Sequence, residues 1–242
     1  MTLVLENISV YIGGRPLVQK VSLSVNPGEV VGLLGPNGAG KTTTFNLVIG
    51  LLKPDKGDVS LNGISVSKLA MPKRARLGIG YLPQEPSVFR QLTVRENLDL
   101  ALAQSGLSKS ECRARREQLI QQFNLVSFLE RRGYQLSGGE RRRCEVARAL
   151  SVGNVGPRYL LLDEPFAGVD PIAVSDLQQL IQSLKVNGMG ILITDHNVRE
   201  TLAITDRAYI LNDGKILASG DAGNVANDSL VRRHYLGEDF KL

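Results

Sequence analysis

The chain of 242 residues carries 29 Lys and Arg against 24 Asp and Glu, a formal charge of +5, and is 43% hydrophobic and 22% charged. That balance excludes a disordered or fibrous protein, and the length suits one large domain, or a domain with a subdomain inserted, rather than a multi-domain machine. The longest uninterrupted apolar stretches, such as those around 47–49 and 160–162, are only three or four residues and fall far short of the roughly 20 that cross a bilayer.

The N-terminal segment has no basic leader before an apolar run and meets Glu6 early, unlike a secretion signal, so a cytoplasmic protein is expected. Apolar alternation at 3–10 and the mostly apolar stretches 21–25 and 30–34, broken by Gly13-Gly14 and Pro27-Gly28, predict strands joined by turns. A helix is predicted to start after Lys41 and run towards Gly50. Pro54-Asp55-Lys56-Gly57 then reads as a turn, followed by short strands at 59–61 and 79–82. From about 93 to 150 the pattern changes to helical period, with segments at 94–102, 110–123 and 140–150. Buried strands return at 159–162, 190–194 and 207–211, separated by a helix over 172–184. Strands alternating with helices point to a mostly parallel α/β sheet.

Between Lys109 and Arg148 ten basic residues stand against five acidic ones, an excess equal to the net charge of the whole chain. A solvated helical face, an anionic membrane or partner surface, and nucleic acid all fit such a run. With no Trp and 5% aromatics, stacking platforms for single-stranded nucleic acid are poorly supplied, and no nucleic-acid partner is expected. Cys112 and Cys144 have neither metal-ligand spacing nor a disulfide framework and read as packing thiols.

Gly35-Pro36-Asn37-Gly38-Ala39-Gly40-Lys41-Thr42 fits the phosphate-binding P-loop and lies where that motif must lie, after a strand and at a helix start. Its glycines let backbone N–H groups curl around anionic oxygens. Lys41 supplies a point charge to the β- and γ-phosphates, and the Thr42 hydroxyl can ligate Mg²⁺; Thr43 is assigned to the same nucleotide cradle. The strand at 159–162 ends in Asp163-Glu164, whose side chains point in different directions because alternation separates them. Beside a P-loop this gives two roles: Asp163 in the Mg²⁺ shell, and Glu164 orienting and deprotonating the water that attacks the γ-phosphate. Ser137-Gly138-Gly139-Glu140, preceding an Arg- and Ala-rich helix, reads either as a second anion cradle or as a plain helix cap. Asp170-Pro171 reads as a cap with proline in the first turn, and Asn197 with Glu200 as a capping box for the next helix.

The P-loop, LSGGE at 136–140, YLLLDEP at 159–165 and Thr194-Asp195-His196 together resemble the nucleotide-binding subunit of ATP-binding cassette (ABC) transporters, over essentially the whole chain. The resemblance implies a P-loop NTPase (RecA-like) α/β core with an antiparallel β subdomain and an inserted α-helical subdomain. It implies a single domain over 1–242, with the core at about 1–84 and 153–242 and the helices at about 85–152. It implies that Tyr11 stacks on adenine, that Gln84 contacts Mg²⁺ and senses the γ-phosphate, and that His196 contacts the γ-phosphate. Residues 167–170 would cross a subunit boundary, with Ser137 to Glu140 of one subunit completing the ATP site of another in a head-to-tail homodimer with two sandwiched nucleotides.

Having no span of its own, such a subunit would serve separate transmembrane permease subunits from the cytoplasmic face of the inner membrane. A short permease helix would insert near Pro86, Val88, Phe89 and Leu92 with Arg90 at the rim; ordinary core packing is the other reading of those residues. Within the family, the strings at 136–143, 163–172, 193–202 and 235–242 are similar to the ATPases of lipopolysaccharide export. An importer ATPase of the branched-chain amino acid type and a soluble ABC protein acting on nucleic acid are the alternatives. The stretch 151–157 is longer and richer in glycine than the usual connection, which leaves that loop's conformation open. Leu236, Phe240 and Leu242 of the tail either dock, on the subunit or its dimer mate, or fray.

Overall fold

The computed structural model describes residues 2–153, 155–237 and 240. β1 (Leu3–Ile12) and β2 (Arg15–Val25) form a hairpin around Gly13-Gly14; β1 also pairs with β4 (Lys56–Leu61), and β4 with β5 (Ile64–Ser65). The result is a four-stranded antiparallel sheet in the order β2-β1-β4-β5. A second sheet has the order β10-β9-β3-β8-β7-β6 and contains β3 (Val30–Leu34), β6 (Ile79–Leu82), β7 (Tyr159–Asp163), β8 (Gly190–Thr194), β9 (Arg207–Asn212) and β10 (Lys215–Asp221). Its strands are parallel except β10, which folds back antiparallel on β9. The expected mostly parallel sheet is therefore present.

All residues of β3, β7 and β8 are buried, as parallel strands covered on both faces must be. Alternation divides their side chains between two cores. Leu33, Leu161 and Leu192 pack with Phe45 and Val48 of α1 (Lys41–Ile49) and with the apolar face of β1 and β2. Leu160, Leu162, Ile191 and Ile193 pack on the other side with α6 (Pro171–Val186) and with the helices that connect β6 to β7.

Those connecting helices are α3 (Val94–Leu102), α4 (Lys109–Gln122) and α5 (Gly138–Ala149). Each starts at a hydroxyl N-cap with a glutamate three residues on, Thr93 with Glu96, Ser108 with Glu111 and Ser137 with Glu140, and each pair forms both bonds of a capping box. Two orphan N–H groups per helix are thereby satisfied. Leu98, Leu119, Phe123 and Val146 from these helices share the core of Leu160 and Ile191, so the helices are packed onto the sheet rather than tethered to it.

Asp170 caps α6 as expected, accepting from the Ala173 N–H, with Pro171 in the first turn. The capping box expected at Asn197 is not formed. The Asn197 N–H donates to Asp195 Oδ1 two residues earlier (2.9 Å), and Glu200 accepts from Gln178 Nε2 of α6 (2.7 Å), so a local turn and a tertiary contact take these groups away from α7 (Val198–Leu202).

The run of basic residues does not make one cationic face. Arg142 is buried, Arg148 donates to the Ser87 carbonyl, Arg115 reaches Leu150 O at 3.3 Å, and Arg116 and Arg131 pair with Asp99 and Glu140. Cys144 is buried, which pushes its thiol up to about 12 and leaves it a packing group; Cys112 is half-buried, and both thiols are free.

The patterning did not anticipate β5, β10, α2 (Met71–Arg76), or the C-terminal α8 (Ala222–Asn227) and α9 (Ser229–Val231). α2 is anchored by the buried guanidinium of Arg74, which donates to the carbonyls of Leu47 (2.6 Å), Val48 (2.7 Å), Leu69 (2.9 Å) and Ser67 (3.1 Å). It thereby satisfies carbonyls at the end of α1. Tyr235, Leu236 and Phe240 pack on the cluster of Leu34, Ile210, Val225 and Val231 of their own chain. Leu242, with 238, 239 and 241 of the tail, and Asn154 of the glycine-rich loop lie outside the described residues.

Candidate active site

The order β3-β8-β7 sets three strand ends side by side, and in open α/β sheets ligands bind beyond the carboxyl ends of the strands. β3 delivers the P-loop, β7 delivers Asp163 and Glu164, and β8 delivers Asp195 and His196. Two backbone features hold the loop in place. Gly35 has φ 151°, and a Cβ there would sit 2.0 Å from the Leu211 carbonyl, so only glycine lets the end of β9 approach. Gly40, at φ 104°, meets the Leu17 carbonyl in the same way at 2.8 Å.

The P-loop walls a pocket of about 490 Å³ with Asn37, Gly38, Gly40, Lys41, Thr42 and Thr43; Leu17 closes one side, and Gln84, Glu164 and His196 face the loop across it. Lys41 is 7% exposed, and its Nζ donates to the carbonyls of Gly35 (2.7 Å) and Pro36 (3.0 Å). Burial lowers its pKa, and the charges of Glu164 and Asp163 act in the opposite direction.

Glu164 is the convergence point. Its Oε2 accepts from Gln84 Nε2 at 2.9 Å and its Oε1 lies 2.8 Å from His196 Nε2. Its backbone is left-handed, φ 51°, a conformation that costs a non-glycine residue about 1–3 kcal/mol and persists only when the surroundings impose it. Its N–H donates to Thr194 O at 2.8 Å.

Asp163 is 1% exposed. Oδ2 accepts from the Tyr81 hydroxyl at 3.4 Å, whereas Oδ1 is buried without a partner. Burial, and after it the neighbouring Glu164 charge, lifts this carboxyl from 3.8 to about 6. A carboxyl whose pKa is higher in the folded than in the unfolded chain holds its proton better when folded, so its ionisation removes stability as pH rises through that interval. Asp163→Asn is therefore expected to stabilise the nucleotide-free protein above pH 6, by about 1–3 kcal/mol, and to give no gain at pH 4. Thermal melts of both proteins across that range measure it, and an equal gain at every pH would refute the electrostatic cause.

Tyr11, 43% exposed, pairs across the hairpin with Pro16, next to Leu17 of the pocket wall, and itself lines a neighbouring depression with Lys20, Lys56 and Lys215. Ser137, Gly138, Gly139 and Glu140 do not line the pocket of their own chain. Ser137 and Glu140 close the capping box of α5, and Glu140 pairs with Arg131 at 3.1 Å. Val88 is buried and Phe89 is 47% exposed, so the segment after Gln84 divides between core packing and surface. The Arg148 guanidinium stacks on the Phe89 ring at 4.8 Å.

Three residues near the site had no assigned role in the sequence reading. Arg142, 5% exposed, donates to the carbonyls of Pro83 (3.2 Å), Asp163 (3.2 Å), Pro165 (3.0 Å) and Glu164, and pairs with Glu145 at 3.1 Å. Glu145 also accepts from the N–H groups of Ser87 (2.6 Å) and Val88 (3.2 Å). α5, which starts at Ser137, is thus bolted both to the segment bearing Gln84 and to the turn bearing Glu164. Asp195 accepts from the N–H groups of Phe166 (2.8 Å) and Asn197 (2.9 Å), joining the turns after β7 and β8. Helical period was the available signal for Arg142: it stands three residues after Gly139 and seven before Ala149, on the buried face of α5.

The ABC transporter family profile matches residues 18–167. The chain is 53% identical, over 94% of its own length and 93% of the other's, to the lipopolysaccharide export system ATP-binding protein LptB of Acidithiobacillus ferridurans. It superposes on a nucleotide-free ATP-binding cassette from an ABC transporter with a TM-score of 0.88 at 30% identity, covering 98% of this chain and 100% of that one. It also resembles a bacterial ABC transporter cassette, MJ0796, solved as a dimer, with a TM-score of 0.79 at 26% identity over 92% of this chain and 99% of that one.

Proposed function

Because this chain belongs to the ABC transporter family, we propose that it is the ATP-hydrolysing subunit of a transporter that exports lipopolysaccharide. The observation that carries the hydrolytic part is Glu164, held between Gln84 and His196 at the mouth of the P-loop pocket. The near full-length similarity to a lipopolysaccharide export ATP-binding protein carries the cargo.

In this reading the P-loop N–H groups and Lys41 bind the phosphates, Lys41 exchanging its internal carbonyl partners for them. Glu164 takes the proton of the attacking water, and Gln84 and His196 hold its two oxygens in position while His196 reaches the γ-phosphate. Thr42, Gln84 and Asp163 would hold Mg²⁺, and the buried, unpartnered Oδ1 of Asp163 is an acceptor that suits a cation. Phosphate oxygens and water would complete the shell. When bound, the ion neutralises charge that builds on the phosphate oxygens. Tyr11 stacks on adenine from the hairpin beside Leu17.

Ser137 to Glu140 serve the ATP site of a second copy, which explains why they are remote from the pocket of their own chain. ATP closes this head-to-tail pair and hydrolysis releases it. No described helix is long and apolar enough to cross a membrane, so the work passes to a transmembrane partner seated at Phe89 and Arg90. Phe89→Ala is expected to leave the ATPase activity of the isolated protein unchanged and to abolish co-purification with membrane subunits. Unchanged co-purification and transport would remove Phe89 from the interface, and co-purification of the parent chain with no membrane protein would overturn the transport reading itself.

A further inference from the structure

Between Asp58 and Glu85 the chain has no acidic residue and four basic ones, Lys68, Lys73, Arg74 and Arg76. Arg74 is committed inward to the end of α1, which fixes how α2 is turned. Lys73, Arg76 and Leu77 stand at i, i+3 and i+4 and so lie together along one side of α2, beside the inward-facing Arg74. All three are exposed, Leu77 by 48%, and Lys68 is exposed just ahead of the helix. Among the described residues no ion pair engages Lys68, Lys73 or Arg76, whereas Arg95, Arg116, Arg131 and Lys185 each have a carboxylate. Cations without counter-charges beside an uncovered leucine form a surface complementary to an anionic, partly apolar one.

This side of α2 is linked through α5 to the Phe89 segment assigned above to a membrane partner. The end of α5 bridges the two: Arg148 stacks on Phe89 and donates to Ser87 O, and five residues later Gly153 passes beneath α2, where an added Cβ would lie 3.6 Å from Ala75 O and 3.7 Å from Arg76 O. A partner embedded in lipid and seated on Phe89 would bring α2 to the bilayer surface.

We propose that the exposed side of α2, with Lys73, Arg76 and Leu77, together with Lys68 just ahead of it, rests on the anionic phospholipid headgroups of the membrane. The inference depends on the membrane-partner reading of Phe89 for its geometry, but its test does not. The purified full chain is mixed with vesicles of phosphatidylcholine, alone or with about 40% phosphatidylglycerol, and bound protein is measured by flotation at about 0.1 M salt.

Anionic vesicles are expected to bind at least about tenfold more protein than neutral ones, and the difference is expected to vanish at high salt. Each cation withdrawn costs about fivefold, so Lys73→Glu with Arg76→Glu lowers binding about 25-fold or more. The ATPase activity of that double variant stays at the parent value and shows that it folds. Leu77→Asn weakens binding without changing the salt dependence.

Equal binding to both vesicles, or binding to neither, overturns the proposal. So does preference for anionic vesicles that survives the double variant, or that is lost instead in Lys109→Glu with Arg113→Glu on α4. Should the vesicle result fail while Phe89→Ala still uncouples the partner, the lipid face alone falls. Failure of the parent chain to co-purify with any membrane protein removes the transport reading whatever the vesicles show.

Discussion

Glu164→Gln is expected to cut steady-state ATP turnover by about 10²- to 10⁴-fold while preserving ATP binding. The substitution removes the basic oxygen and sets an amide N–H₂ where Oε1 faced His196 Nε2. An amide oxygen can still accept from Gln84, and the left-handed backbone at this position costs Gln and Glu alike. Lys41 and the P-loop are unchanged, so nucleotide affinity should stay within a few-fold of the parent. The loss corresponds to about 3–5 kcal/mol of transition-state stabilisation. In the proposed cycle the pair closes on ATP and parts after hydrolysis, so the variant should accumulate as an ATP-bound dimer, visible by size-exclusion chromatography, whereas the parent returns to monomer. Turnover at the parent rate would show that another group, or water alone, takes the proton.

Arg142→Met should lower thermal stability by about 3–5 kcal/mol, the usual cost of leaving a buried ionic partner unpaired. In a chain of this length that corresponds to about 10 °C in melting temperature. Methionine fills similar volume but offers no donor, so the carbonyls of Pro83, Asp163, Glu164 and Pro165 and the carboxylate of Glu145 all lose a bond in a dry environment. A purely structural role would end there. Because Arg142 holds the backbone on both sides of the Gln84–Glu164 contact, kcat should fall well below the parent value at a temperature where the variant is fully folded, with KM for ATP little changed. Arg142→Lys, which keeps the charge but not the planar fork, should recover part of the stability and little of the kcat. A variant that melts and turns over like the parent would show that the helix starting at Ser137 is not coupled to the base through this residue.

Helical caps were readable where the partners lie close in sequence and point into water. Ser137 with Glu140 and Asp170 with Pro171 behave as their spacing predicts. Asn197 with Glu200 has the same spacing and does not cap, because the Asn197 N–H is taken by Asp195 in the turn before the helix and the Glu200 carboxylate by Gln178 of α6. The same division explains the basic run at 109–148. Summed charge treats each arginine as solvated, but Arg142 and Arg148 sit on faces of α5 that packing closes over. α2 and β10 went unread for a related reason: neither carries an apolar period of its own, and each exists because an element distant in sequence provides its partners, α1 for Arg74 and β9 for the β10 ladder.

Local chemistry was enough to place the phosphate loop, the Asp163-Glu164 pair and His196 at strand ends, because a glycine-rich turn between a buried strand and a helix, and carboxylates at the close of an apolar strand, are written within a dozen residues. What no local pattern contains is the strand order β3-β8-β7-β6, which sets Gln84, Glu164 and His196 within hydrogen-bond reach across more than a hundred residues of chain. Nor does it contain the inward turn of Arg142. Those depend on which faces are buried against each other, and burial is decided by the assembled sheet and helices together, where an unpaired polar group is costly enough to dictate its own neighbours.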